Sequence, residues 1–142
     1  MPELPVESWS VTQAITSRTS QRTYNGHALT PNTRAALEAA LRQPPPAPFG
    51  NSIRLAVLDT TTAESRVPLG TYGIIRGAKS FLAGAVHRGE HAEEDFGFVL
   101  EWAILRATSL GLGTCWLGGT LRRHEFVAAM EIEPGEYIPA VT

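Results

Sequence analysis

The chain has 142 residues, 43% hydrophobic and 18% charged, which is enough apolar material for one packed domain and too little for two. Its 12 basic and 14 acidic residues leave a formal charge of −2, which excludes a generic nucleic-acid or anionic-membrane binder and leaves any phosphate to a few local residues. The lone cysteine, Cys115, excludes an intramolecular disulfide and a zinc site built from several thiolates. With no basic leader and no run of about 18 apolar residues, the expectation is a soluble cytoplasmic protein.

From about Val6 to Ser17, Val6, Trp9, Val11, Ala14 and Ile15 recur near a helical period, and a first helix is expected there. The hydroxyl-rich stretch Arg18 to Gly26 follows as a loop or short strand. Thr30-Pro31 supplies a capping hydroxyl and a proline at the first helical position, and the stripe Ala36, Leu37, Ala40, Leu41 carries a second helix to about Arg42. Gln43 to Gly50 holds four prolines and forms a stiff extended connector. Ile53 to Leu58 is an apolar, β-branched run that reads as a buried strand, and Ser80 to Val86 reads as a second.

The longest apolar segment, from about His91 to Leu110, predicts a helix buried on several sides, within a domain or in a subunit interface. Glu93, Glu94 and Asp95 complement the dipole of its first turn, and Gly111 stands where a left-handed C-cap needs no β-carbon. A glycine-rich turn then leads to a short helix from Leu121 to Met130, capped by Thr120. Pro134-Gly135 makes a turn before a last strand that starts near Glu136.

Several groups could carry chemistry. The turn from Gly111 to Gly119 has Trp116 where a dinucleotide fingerprint requires its third glycine, and it follows a helix, so that motif is excluded. Gly118-Gly119 either makes a tight turn between helices or lets backbone amides approach a flat ligand. Arg18 and Arg22, four apart with Thr19 and Ser20 nearby, either are solvated or converge on one phosphate. His87 and His91 read as surface residues beside the acids of a helix start, and Cys115 as a small buried apolar residue. The cluster Arg122-Arg123-His124 opposes a helix dipole, a mismatch that surface exposure or an anion would relieve. Glu101, set among Leu100, Trp102 and Ile104, needs a partner: an arginine of the loop after the first helix, a second subunit, or a wet edge.

Taken in order, the helix, Arg18-Thr19-Ser20-Gln21-Arg22-Thr23-Tyr24, the Thr-Pro helix, GTYGIIRGAKSFLAG and DFGFVLEWAILRATSLGLGTCWLGGT resemble the nitroreductase superfamily of flavoproteins, over about Ile15 to Thr142. The resemblance implies an α+β fold, a mostly antiparallel sheet flanked by helices, in an intertwined homodimer with FMN at the interface. It assigns Arg18, Ser20 and Arg22 to the FMN phosphate. Thr19 stands where Arg or His is frequent and offers a hydroxyl instead. It places the amides of Leu117, Gly118 and Gly119 against flavin N5 and O4, with Gly118 where many relatives have Glu. Tyr72 and Gly73 would lie near the flavin or substrate.

The implied reaction passes hydride from NAD(P)H through the flavin to a nitroaromatic, quinone or similar small electron acceptor, with no catalytic side chain and no metal. A non-catalytic flavin-binding or structural dimer module is the alternative. Relatives continue past the Pro139–Thr142 strand with a further helix and a basic phosphate ligand, so the expectation is a fold cut short at its C-terminus.

Overall fold

The computed structural model describes residues 8–60 and 70–142. In chain order it contains α1 (Val11–Ser17), α2 (Pro31–Leu41), β1 (Ile53–Asp59), β2 (Ser80–His87), α3 (Ala92–Ser109), α4 (Arg123–Met130) and β3 (Glu136–Tyr137). The strands form one antiparallel sheet in the order β1-β2-β3, with Ile53 opposite Val86, Asp59 opposite Ser80 and Val86 opposite Tyr137. Past β3 the backbone stays beside β2. Leu82 and Thr142 exchange both N–H···O bonds (2.6 and 2.9 Å), and Val141 does the same with Leu117 (2.8 and 2.9 Å). The last residues are thereby held between β2 and the turn after α3.

Because side chains alternate across a strand, the sheet has two apolar faces. Leu82 and Val86 join Phe96, Leu100 and Ile104 of α3, with Leu37 and Leu41 of α2 completing that layer. On the opposite face Phe81, Ala83 and Ala85 meet Phe126 and Met130 of α4, and Phe81 meets Phe126 edge to face at 5.4 Å. The expected α+β architecture is therefore present. Among the described residues no helix is long and apolar enough to cross a membrane.

Four local expectations change. α1 starts at Val11, because the Ser10 hydroxyl accepts from the Gln13 N–H (3.2 Å) and caps it; Trp9 precedes the helix with the Arg106 guanidinium 4.8 Å from its ring centre. Val6 lies outside the described residues. α4 starts at Arg123 and Thr120 does not cap it: Leu121 is buried in the core, and the Arg122 N–H is bonded to the Gly70 carbonyl (2.8 Å).

Asp95 does more than complement the helix dipole. It is fully buried and accepts from the Phe49 N–H (2.8 Å), the Asn51 N–H (2.9 Å) and Asn51 Nδ2 (2.9 Å), tying the end of the proline connector to α3. Burial pushes its carboxyl up, but these donors and the nearby His91 outweigh burial and hold it below the usual 3.8. Among the described residues Glu101 forms no ion pair with an arginine; it accepts from Trp116 Nε1 at 2.7 Å.

Candidate functional site

The loop after α1 is held from two sides. Ser20 bridges to Thr114, and the Gln21 N–H donates to the Thr114 carbonyl at 2.8 Å. On the other side the Tyr24 N–H donates to the Arg76 carbonyl (2.8 Å) and the Arg76 N–H to the Arg22 carbonyl (2.9 Å). Both flanks need glycine. At Gly113 a β-carbon would stand 2.9 Å from the Gln21 side chain. At Gly77, whose φ is +77°, it would stand 2.5 Å from the Tyr24 carbonyl oxygen. Gly77→Ala is therefore expected to destabilise the protein by about 2 kcal/mol, read from urea unfolding; a change within about 0.5 kcal/mol would show that the loop is not held here.

Thr19, Ser20 and Arg22 are exposed on this loop, whereas Arg18 is half-buried. Among the described residues, the buried Arg18 Nη1 has no hydrogen-bond partner, and neither Arg18 nor Arg22 forms an ion pair with a carboxylate. A buried cationic nitrogen without an acceptor is unfavourable by itself, and an anion brought to this loop would offset it.

The glycine turn lies next to this loop through Thr114. Gly118 and Gly119 are exposed, and a β-carbon on either would meet nothing within 4 Å, so a flat ligand could approach their backbone. Leu117 departs from the expectation. It is buried, and its N–H is engaged by the Val141 carbonyl at 2.8 Å, so of the three predicted amides only those of Gly118 and Gly119 stay open to a ligand. The physical reason is the return of the last strand, which recruits Leu117 as a ladder partner.

Tyr72 and Gly73 belong to a segment held against the start of α4. Tyr72 is 65% exposed in the left-handed region (φ +51°), with the Arg122 guanidinium 5.3 Å from its ring centre. The Gly70 N–H donates to Glu125 Oε2 at 3.0 Å, fastening the segment to α4. Arg123, expected either at the surface or beside an anion, instead organises the turn: its guanidinium donates to the carbonyls of Gly118 (2.6 Å) and Ile138. The mismatch of Arg122 and Arg123 with the helix dipole is met by these carbonyls and by Glu125, 3.9 Å from Arg122. A charge pair cannot be told from a carbonyl clamp by spacing alone, which is why the sequence signal was ambiguous.

The remaining candidates are structural. His91 stacks on Phe49 at 4.0 Å and sits 3.6 and 3.7 Å from Glu90 and Glu94. Cys115 is buried, and its N–H donates to Thr142 Oγ1 at 2.9 Å.

An antiparallel sheet covered by helices on both faces, with an arginine loop braced against an open glycine turn, defines an α+β protein of the nitroreductase fold. The family model described as "Putative TM nitroreductase" matches residues 10–141, and the chain belongs to that family. Among solved structures, it is similar to a "putative nitroreductase" in complex with FMN from Desulfovibrio desulfuricans: 24% identity, TM-score 0.69, covering 92% of this chain and 82% of that one. A nitroreductase with bound FMN from Bacteroides fragilis matches at 15% identity and TM-score 0.66, covering 94% and 86%. One with bound FMN from Desulfitobacterium hafniense matches at 18% and 0.68, covering 92% and 85%. No curated protein is matched.

Proposed function

We propose that this chain is a flavin-dependent oxidoreductase that binds FMN and works as a homodimer in the cytoplasm. The observation that carries the reading is the orphaned, buried nitrogen of Arg18 on a loop that also presents Ser20 and Arg22. That donor set suits the FMN phosphate: two guanidiniums supply charge, and the hydroxyls of Ser20 and Thr19 supply neutral donors. When bound, the flavin supplies hydride transfer from NAD(P)H to a nitroaromatic, quinone or similar small acceptor.

The chain's own residues bind and orient. Arg18 and Arg22 neutralise the phosphate. The open amides of Gly118 and Gly119 direct fixed dipoles at the flavin ring and favour negative charge there. Arg123 keeps that turn in place by holding the Gly118 carbonyl, and Tyr72 and Gly73 border the space for the acceptor. The dimer reading draws support from apolar side chains left open on α1 and α3: Ile15 is 59% and Phe98 49% exposed.

The purified protein, loaded with FMN, is expected to show a flavin absorbance band that bleaches when NADH or NADPH is added without oxygen and returns when a quinone follows. A band that stays unbleached with both nicotinamides would identify a flavin-binding module without turnover. A protein that ignores added FMN would overturn the flavin reading altogether.

A further inference from the structure

The peptide between Gly118 and Gly119 is one rigid unit whose two polar ends face opposite ways. Resonance keeps a peptide planar, and in the trans form its C=O and N–H point in opposite directions; among the described residues no peptide is cis. The oxygen of this unit belongs to Gly118 and the N–H to Gly119. Arg123 Nη2 donates to that oxygen at 2.6 Å, so the Gly119 N–H is turned away from the guanidinium.

The backbone alone does not fix this orientation. Neither glycine has a positive φ, and a β-carbon on either would meet nothing within 4 Å, so packing demands glycine at neither position. Two successive glycines do let the peptide between them turn over. The flip carries the Gly119 φ to positive values, which glycine adopts at little cost and other residues do not. Two contacts oppose it. Leu117, one residue earlier, is bonded in both directions to Val141 (2.8 and 2.9 Å) and fixes where the turn starts. Arg123 fixes which way the next peptide faces, because a flip would carry the Gly118 oxygen off the guanidinium. The clamp is itself anchored: Arg123 is the first residue of α4, and its Nη1 donates to the carbonyl of Ile138, a core residue 1% exposed.

The same bond acts electronically. A cationic donor on a peptide oxygen draws density through the amide and makes the N–H at the other end a stronger donor. We propose that Arg123 is a positioning residue for the flavin: it holds the Gly118–Gly119 peptide with the Gly119 N–H toward the ring and thereby raises the reduction potential of bound FMN. This role rests on the flavin reading above. A hydride taken up from NAD(P)H, two electrons and one proton, leaves the ring with one more negative charge, so a strengthened and oriented donor favours the reduced form over the oxidised one.

Two measurements on the full chain test this, the first without flavin. By amide NMR of the isotope-labelled, FMN-free protein, Gly119 is expected to give one resonance, and in Arg123→Gln two, or one broadened by exchange, while the amides of β1 and β2 stay unchanged. Adding Gly119→Ala to Arg123→Gln penalises the positive φ of the flipped peptide and is expected to restore a single resonance. In the FMN-loaded protein, Arg123→Gln is expected to shift the preference for reduced over oxidised FMN about tenfold toward the oxidised form, a fall of about 30 mV in the two-electron potential. Arg123→Lys keeps the charge without the planar fork that spans two carbonyls, and its potential should fall as far. Arg123 is exposed, and the melting temperature confirms that each variant folds. A lysine variant with the unsubstituted potential would show that charge alone acts and would overturn the proposal. So would a glutamine variant with an unchanged potential or an unchanged Gly119 amide, or a double variant that still shows two resonances. An unsubstituted protein that takes no FMN removes the flavin reading, whereas one that takes FMN and shows none of these shifts removes only the role of Arg123, so the two fail separately.

Discussion

Replacing Arg18 and Arg22 together by alanine is expected to weaken FMN binding by about a hundredfold or more, measured by quenching of flavin fluorescence on titration. Charge-assisted hydrogen bonds contribute about 1.5–3 kcal/mol each, and two guanidiniums directed at one phosphate reach that factor even at the lower end. The flavin-free protein should behave differently. Arg18 Nη1 has no acceptor among the described residues, so removing it takes away an unpaired buried donor, and the melting temperature without FMN should stay the same or rise. The rise in melting temperature that FMN confers on the unsubstituted protein should disappear, since only a ligand bound to the native state stabilises it. A double variant that keeps its FMN affinity would show that the phosphate lies elsewhere. One that unfolds without FMN would show that the arginines serve the fold.

The second large effect is expected at Asp95. Asp95→Ala leaves the Phe49 N–H and both Asn51 donors without their acceptor, and the melting temperature should fall by roughly 5–10 °C. The pH dependence has a fixed sign. A carboxyl whose folded value lies below its unfolded one contributes stability that is complete above the unfolded value, near 3.8, and is lost as pH falls through the lower folded value. The unsubstituted protein should therefore lose stability steeply below about pH 4, and Asp95→Asn should lose less over the same interval. Parallel curves for the two proteins from pH 7 to pH 3 would show that Asp95 does not titrate with unfolding. Glu136, held low by its hydrogen bonds with Arg54 (2.8 Å), contributes in the same direction, so the difference between the curves, not either curve alone, isolates Asp95.

Much of this molecule is legible in its sequence. β1, β2 and α2 lie where their apolar runs and the Thr30-Pro31 start placed them, and Gly111 follows α3 with φ +80°. These are local signals: periodicity, a hydroxyl cap, a residue without a β-carbon. Helix starts with weaker local chemistry were misplaced. α4 begins two residues late because the Gly70 carbonyl, far away in sequence, captures the Arg122 N–H. The candidate site followed the same division. The residue types at Arg18, Ser20, Arg22, Gly118 and Gly119 were readable as donors and as open backbone. Nothing local announced that Leu117 would be consumed by Val141, or that Arg123 would hold the Gly118 carbonyl.

Local pattern suffices for the element order, because each element depends on residues within a turn or two of one another, while the α+β class came with the family resemblance and the paired arginines alone left a solvated loop and a phosphate site both open. Which donors remain free for a ligand is a different kind of property. It depends on where distant backbone groups find partners, since a buried N–H takes whichever acceptor the fold brings to it. Folding brings Val141 against Leu117, Asn51 against Asp95 and Trp116 against Glu101. Among the described residues it leaves Arg18 Nη1 and Thr114 Oγ1 buried without partners, and the first of these carries the functional reading.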